Sequence, residues 1–397
     1  MGRVSLKRAW ICAAIVVGVA GSSWTLAEPA ASAAPASSDS VHYWGAFFGD
    51  ASNNSTGEVS VPTPVTLPGA VKQVASSNST EYALLTNGTV YAWGDGTDGE
   101  LGNGGTANSL DTPVQVQFPS GVVIESLPTD AMPVNTALAV DKQGNAWGWG
   151  SNSFGQLCLG NTSQYLEPVE LPLSGVTAIA GAFDHALFDS DGTVYACGGN
   201  VNGDLGDGKK KPSSTPVAVS GLGARKVVDL YASYNNSGAL LADGDYFDWG
   251  TNGEGQLGQD DTEKSSSVPV RVSLPGPVTQ VALGGSLPSN GQTLVELSSG
   301  TYWAWGANAS GQLGDDSTTN EDSPVRILPP AGVTYASLSS GGATSYAVST
   351  SGDVYAWGNR STGQLGDGKD TLRQLTPVKV ESGVTQMSST ANNVVTV

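Results

Sequence analysis

Two histidines, His42 and His185, and three cysteines, Cys12, Cys158 and Cys197, are all that 397 residues hold of those types. They bound the chemistry open to the chain. Neither histidine has a neighbour spacing that binds a metal or activates a nucleophile. Asp184 directly precedes His185, but adjacency in sequence does not make an acid–imidazole relay. Zinc needs about four such ligands, and Cys158 and Cys197 stand in structural slots described below. The acidic turns at Asp95–Asp98, Asp207-Gly208 and Asp315-Asp316 lack the alternation and terminal Glu of a calcium loop, and Asp-Gly is what tight turns select. No phosphate loop of the Gly-x-x-x-x-Gly-Lys-Ser/Thr type is present. Among the many acids no pair stands out for glycoside hydrolysis. We therefore expect no enzyme, no metal and no cofactor.

Charge narrows the partners. Seventeen basic against 36 acidic residues give −19, which disfavours nucleic acid and anionic membranes, since both need a basic face. At the amino end, Arg3, Lys7 and Arg8 precede an apolar run from Ala9 to about Ala20, then Ala-Ser-Ala-Ala-Pro-Ala at 31–36. This is the order of a secretory signal, expected over residues 1–36 and followed by a single domain over 37–397. The run is short for a membrane span. The mature chain is expected to be soluble, extracellular and monomeric.

The scaffold that must position any functional residue is written as a repeat. Val90-Tyr-Ala-Trp-Gly94 returns as variants ending in Gly45, Gly150, Gly198, Gly250, Gly306 and Gly358, with the key position at 44, 93, 149, 197, 249, 305 and 357. Pro-Val pairs at 64, 113, 168, 216, 269, 324 and 377 keep the same beat. So does Gly-Gln-Leu-Gly, or a variant, as in Gly255–Gly258 and Gly311–Gly314. Three phrases in register at a period of about fifty mark a solenoid or a propeller.

Each unit reads as four short strands. In one, these are Pro324–Leu328, Val333–Leu338, Ser345–Ser349 and Asp353–Trp357, with alternating apolar residues and Ser-Gly or Asp-Gly turns. The chain opens with a half-unit at Val41–Gly45 and closes with the complementary half through Val397. The expected fold is all-β: a seven-bladed β-propeller of four-stranded blades, closed by the two terminal half-repeats sharing one blade.

The Tyr-Ala-Trp-Gly, Gly-Gln-Leu-Gly-Asp-Gly and Pro-Val-x-Val phrases resemble the regulator-of-chromosome-condensation repeat across roughly 41–397. That resemblance implies a seven-bladed propeller. The repeated tryptophans read as filling between blades, and Leu101, Leu157, Leu205, Leu257, Leu313 and Leu365 as pins for the long loops. Cys197 stands where the tryptophan belongs, and Cys158 where Gly155-Gln-Leu-Cys158 should end in glycine. Both fall around one pair of adjacent blades, leaving a disulfide or two buried free thiols open.

Where repetition builds the frame, irregular positions are free to bind. The most variable stretch joins the second and third strands of each unit. From it we expect a partner-binding set of Glu81, Asp130, Met132, Phe183, Asp184, His185, Tyr234, Asn235, Leu287 and Thr344: apolar anchors in a polar rim, on one face of the ring. The expected function is a secreted protein-binding propeller with an extracellular or cell-surface protein partner. It is similar in type to the secreted bacterial propeller inhibitors of β-lactamase, although repeats of about fifty rather than about forty residues and fewer aromatics argue against a lactamase as target. The alternatives are guanine-nucleotide exchange on a small GTPase, which the family resemblance implies, and an exported hydrolase or carbohydrate-binding propeller.

Overall fold

In the computed structural model, the described residues are 41–47, 57–77, 79–129, 135–260, 263–287, 289–361, 363–369, 371–390 and 393–397. The expected export signal lies outside them. The strands form seven four-stranded antiparallel sheets. From the inner to the outer strand, blade 1 holds Val71–Ser76, Thr80–Leu85, Val90–Gly94 and Ser109–Gln115. Blade 2 holds Ile124–Ser126, Thr136–Asp141, Ala146–Gly150 and Tyr165–Glu170. Blade 3 holds Val176–Gly181, His185–Ser190, Thr193–Gly198 and Ser213–Ala218. Blade 4 holds Val227–Ser233, Asn236–Leu241, Tyr246–Thr251 and Ser265–Arg271. Blade 5 holds Val278–Gly284, Gln292–Leu297, Tyr302–Gly306 and Glu321–Ile327. Blade 6 holds Tyr335–Ser340, Thr344–Ser349, Asp353–Asn359 and Arg373–Ser382.

Blade 7 is shared by the two ends of the chain. Met387–Ser389 and Asn393–Thr396 form its inner half, Val41–Phe47 and Gly57–Val65 its outer half. The seam pairs His42 with Thr396, Tyr43 with Val395 and Trp44 with Val394. The seven-bladed propeller expected from the repeat is the fold observed.

The repeat frame and the blade frame differ by one strand. Each Pro-Val strand is the outermost strand of the blade before it: Glu321–Ile327, which contains Pro324, completes blade 5 rather than opening blade 6. The reason is hydrogen bonding. Proline offers no N–H to a ladder, so it settles on the strand with only one neighbour. In consequence, the variable loops join the first strand of each blade to the second.

The six repeat tryptophans are wholly buried. In five of them the indole N–H donates across a blade junction to the loop of the blade before. Trp149 bonds Glu100 O at 2.8 Å, Trp249 Asp204 O at 2.8 Å and Trp305 Gln256 O at 2.9 Å. Trp357 bonds Gln312 O and Trp44 bonds Gln364 O, both at 2.9 Å. The glycine ending each loop phrase makes this approach possible: a Cβ on Gly102, at φ +60°, would lie 2.8 Å from Trp149 Nε1. Between blades 2 and 3 the glycine is Cys158, the tryptophan is Cys197, and their sulfurs are bonded, with Cα atoms 5.4 Å apart. A covalent link occupies the place of the indole–glycine contact.

Candidate functional site

Strands alternate in direction, so the connections from first to second strand and from third to fourth strand emerge at one end of the wheel. At that end three aromatic side chains from three consecutive blades meet. Phe183 of blade 3 stacks on Tyr234 of blade 4, with centroids 4.5 Å apart and planes 18° from parallel. Phe154 of blade 2 lies against Phe183 at 5.4 Å. Phe183 and Tyr234 are half-buried, and Phe154 is 42% exposed. Phe183 and Tyr234 were expected at the face; Phe154 was missed because it sits inside the loop phrase read as structural. Its signal is positional. The residue before that loop glycine is Asp98, Asn202, Glu254 or Ser310 in other blades, and aromatic only here.

The loop carrying Tyr234 is tied onward to the next blades. Tyr234 N–H donates to Gly285 O of blade 5 at 3.4 Å, and Gly285 N–H to Gly341 O of blade 6 at 2.9 Å. That side of the face is held in shape before anything binds, which lowers the ordering cost of association.

Five of the expected contact residues lie beneath that surface. Glu81, His185 and Thr344 are fully buried, and Asp184 and Asn235 nearly so. They support the face and do not line it; His185 and Thr344 take the first ladder position after their variable loops. His185 pairs with Gly198 there, as Thr80, Thr136, Asn236, Gln292 and Thr344 pair with the equivalent glycines. Leu287, on the blade 5 loop, is exposed but is not one of the stacked rings. Asp130 and Met132 lie outside the described residues.

Beneath Phe183, an acid, an imidazole and a hydroxyl do line up. His185 Nδ1 lies 3.0 Å from Asp184 Oδ1, and Nε2 lies 2.8 Å from Ser237 Oγ. The arrangement is not that of a nucleophile. The Ser237 hydroxyl donates to Asp204 O at 2.7 Å, as Ser345 donates to Gln312 O at the same distance two junctions on. With its proton spent there, Ser237 receives the Nε2 proton, so the imidazole donates at both nitrogens. Burial alone would pull His185 down; the hydrogen bond and charge of Asp184, with Asp204 beyond, hold it above its ordinary value. Burial pushes Asp204 up to about 6, against the pull of His185. The group is a structural charge network, closed to solvent.

Blade 1 carries a second acidic departure. Glu100 takes the place of the loop glutamine: its Oε2 accepts Asp98 N–H at 2.7 Å, as Gln156 Oε1 accepts Phe154 N–H and Gln256 Oε1 accepts Glu254 N–H. Burial pushes its carboxyl up to about 8, and that of nearby Glu81, which accepts the Ser76 hydroxyl at 2.5 Å, also to about 8.

The central opening is not an empty bore. The inner strand of blade 2 stops after three residues, at Ser126, and the chain leaves the sheet to cross the opening. Gln73 of blade 1 holds it: Leu127 N–H donates to Gln73 Oε1 at 2.9 Å, and Gln73 Nε2 donates to Leu127 O and Pro128 O. Thr129 Oγ1 then donates to Asp229 Oδ2 of blade 4 at 2.8 Å, although all of blade 3 stands between their sheets.

A cavity of about 230 Å³ lies at the opposite end, beside the Asp243-Gly244 turn. Its charged groups satisfy one another, with Arg271 at 2.6 Å and Arg225 at 3.0 Å from Asp245. Among the described residues no group of three His, Cys, Asp or Glu side chains could hold a metal ion.

Seven blades, five of whose junctions are bridged by indole–loop bonds and one by a disulfide, with a repeat near fifty residues, define a class. The model of the regulator of chromosome condensation (RCC1) repeat matches residues 87–126, 143–188, 191–240, 243–287, 299–348 and 351–397, and a second RCC1 repeat model matches 71–100. The chain belongs to the RCC1 repeat family. It is 29% identical over 290 residues to the ultraviolet-B receptor UVR8 of Arabidopsis thaliana, covering 72% of this chain and 64% of that protein. It is 29% identical over 292 residues to the human E3 ubiquitin-protein ligase HERC2, covering 72% of this chain and 6% of that one. Among solved structures, human WBSCR16 superposes with a TM-score of 0.78 at 21% identity, covering 90% of this chain and 98% of that one. Prp20p of Saccharomyces cerevisiae superposes with a TM-score of 0.76 at 22% identity, covering 90% of each. At those identities the structures speak for the fold alone.

Proposed function

We propose that this protein is an exported, non-enzymatic, monomeric propeller that grips a protein partner through the face formed by blades 2 to 4. The observation that carries the reading is the half-exposed stack of Phe154, Phe183 and Tyr234, contributed by three consecutive blades. Large rigid aromatics on a prearranged surface are what interface hot spots are made of. Protein binding is also named for a structural relative, since Prp20p is described with its binding to Gsp1p and histones. Export is supported by the order of residues 1–36 and by a buried disulfide, a bond that persists in oxidising compartments. Against a hydrolase stands Ser237, whose proton is committed to a backbone carbonyl inside a sealed junction.

The test is affinity capture from secreted and cell-surface proteins with residues 37–397. Phe183→Ala combined with Tyr234→Ala should abolish capture while leaving the unfolding midpoint within a few degrees. Undiminished capture by the folded double variant rejects this face.

A further inference from the structure

The connection between the third and fourth strands of blade 3 carries Lys209, Lys210 and Lys211 in succession, all exposed, in a chain of formal charge −19. The loop is braced from inside: Asn200 Nδ2 donates to the carbonyls of Lys209 at 3.2 Å and Lys211 at 3.0 Å. Lys209 Nζ lies 3.3 Å from Asp207, whose side chain is only 7% exposed, so solvent there meets ammonium and little carboxylate. Lys210 reaches Ser265 Oγ of blade 4 at 2.6 Å, next to exposed Lys264 and Glu263. The same loop presents Val201, 72% exposed. Strand alternation sets it at the end of the wheel that carries the aromatic stack, in the same sector.

Blades 2 to 4 thus offer an apolar centre with a lysine rim, on a body whose charge is otherwise strongly acidic. We infer that the partner's contact surface is acidic: a protein segment with carboxylates opposite Lys209–Lys211 and an apolar side chain seated on Phe154, Phe183 and Tyr234. This rests on the protein-binding reading above and adds the partner's chemistry to it. An acidic body repels such a segment in most orientations, and this sector admits it. The rim would therefore set orientation and association rate while the rings supply affinity.

The probe is a displayed library of random peptides, selected on residues 37–397, on the Phe183→Ala/Tyr234→Ala variant, and on a variant with Lys209→Glu, Lys210→Glu and Lys211→Glu. The expected result is enrichment of sequences with several Asp or Glu around an aromatic or large aliphatic residue. That enrichment should disappear on the alanine variant. The same peptides should bind the lysine-reversed variant about tenfold more weakly, with a shallower salt dependence. Enrichment that depends on Phe183 and Tyr234 but is uncharged or basic overturns the inference and leaves the binding face standing. Enrichment indifferent to the alanine substitutions overturns both. Polyphosphate or anionic lipid vesicles binding as tightly as the acidic peptides, without need of the rings, would make the lysines a general anion rim and also overturn it.

Discussion

Tyr43 and Val395 lie opposite each other in one antiparallel ladder, residues from the two ends of the chain brought to the middle of a single sheet. Val395 is fully buried there. At the same junction His42 Nδ1 lies 2.7 Å from Glu381 Oε1, whose other oxygen accepts Thr396 Oγ1 at 3.1 Å. Val395→Asp puts an unpaired charge into this seam and should cost about 4 kcal/mol. Urea unfolding measures it. A loss below about 1 kcal/mol would mean the seam contributes little to holding the ring.

The Cys158–Cys197 bond closes a loop of moderate length, and its loss should cost about 2–4 kcal/mol. Cys158→Ser with Cys197→Ser, or reduction of the native protein, should lower the denaturation midpoint accordingly. Because five other junctions use glycine and tryptophan, Cys158→Gly with Cys197→Trp should restore much of the loss and be indifferent to reductant. No change on reduction, together with two titratable thiols in the unreduced unfolded chain, would refute the bond.

Glu100 gives stability a pH dependence of known sign. Its carboxyl titrates near 4.5 when unfolded and at about 8 in the fold, so between those values the native state holds a proton the unfolded chain has released. Stability should fall as pH rises from about 4.5 through about 8 and level off above. Glu100→Gln reproduces the residue of the other loops and should flatten that part of the slope, leaving the variant more stable than the parent at pH 9. Melting temperature against pH reads it directly. Glu81 titrates in the same window and keeps a residual slope in the variant.

The segment crossing the central opening should behave as a unit with its anchors. Gln73→Ala removes the acceptor of Leu127 N–H, and hydrogen exchange at that amide should quicken at least tenfold with a global stability loss of about 1–2 kcal/mol. Asp229→Ala should loosen Thr129 in the same assay. Unchanged exchange in both variants would show that the crossing is held by other contacts.

What was legible in the sequence follows the repeat. Features that return from unit to unit could be read by counting: the tryptophans, the loop leucines, the half-units that close the ring. Departures from the repeat are legible as departures: Cys158 and Cys197 stand out around one pair of blades, but the sequence leaves a disulfide and two free thiols equally open, and the bond is a finding of the structure. The blade frame was off by one strand because a periodic sequence has no marked origin; only the pairing of the outermost strand supplies one. Burial was illegible at the loop ends. A polar residue after a variable loop reads as surface, yet His185 is buried against Ser237 of the neighbouring blade and Thr344 is buried with its hydroxyl on Asn359 O of its own. Phe154 went unread for the opposite reason, hidden inside a phrase whose other positions are architectural. The bracing asparagines were missed too, although Asn152, Asn200, Asn252 and Asn308 each accept the N–H of the loop leucine at 2.9–3.0 Å. They stand two residues after the glycine of four of the seven phrases, where blades 1 and 6 have Gly96 and Arg360 instead.

The shared seventh blade sets an order of events. The strand beginning at Val41 is made before all six of the other blades, and its inner neighbour, Asn393–Thr396, after them. Until then the growing polypeptide carries an unsatisfied sheet edge at its leading end, the kind of edge that invites pairing with other chains. Annealing that edge waits on the strand at Asn393–Thr396, so the ring cannot shut before all six other blades have been made.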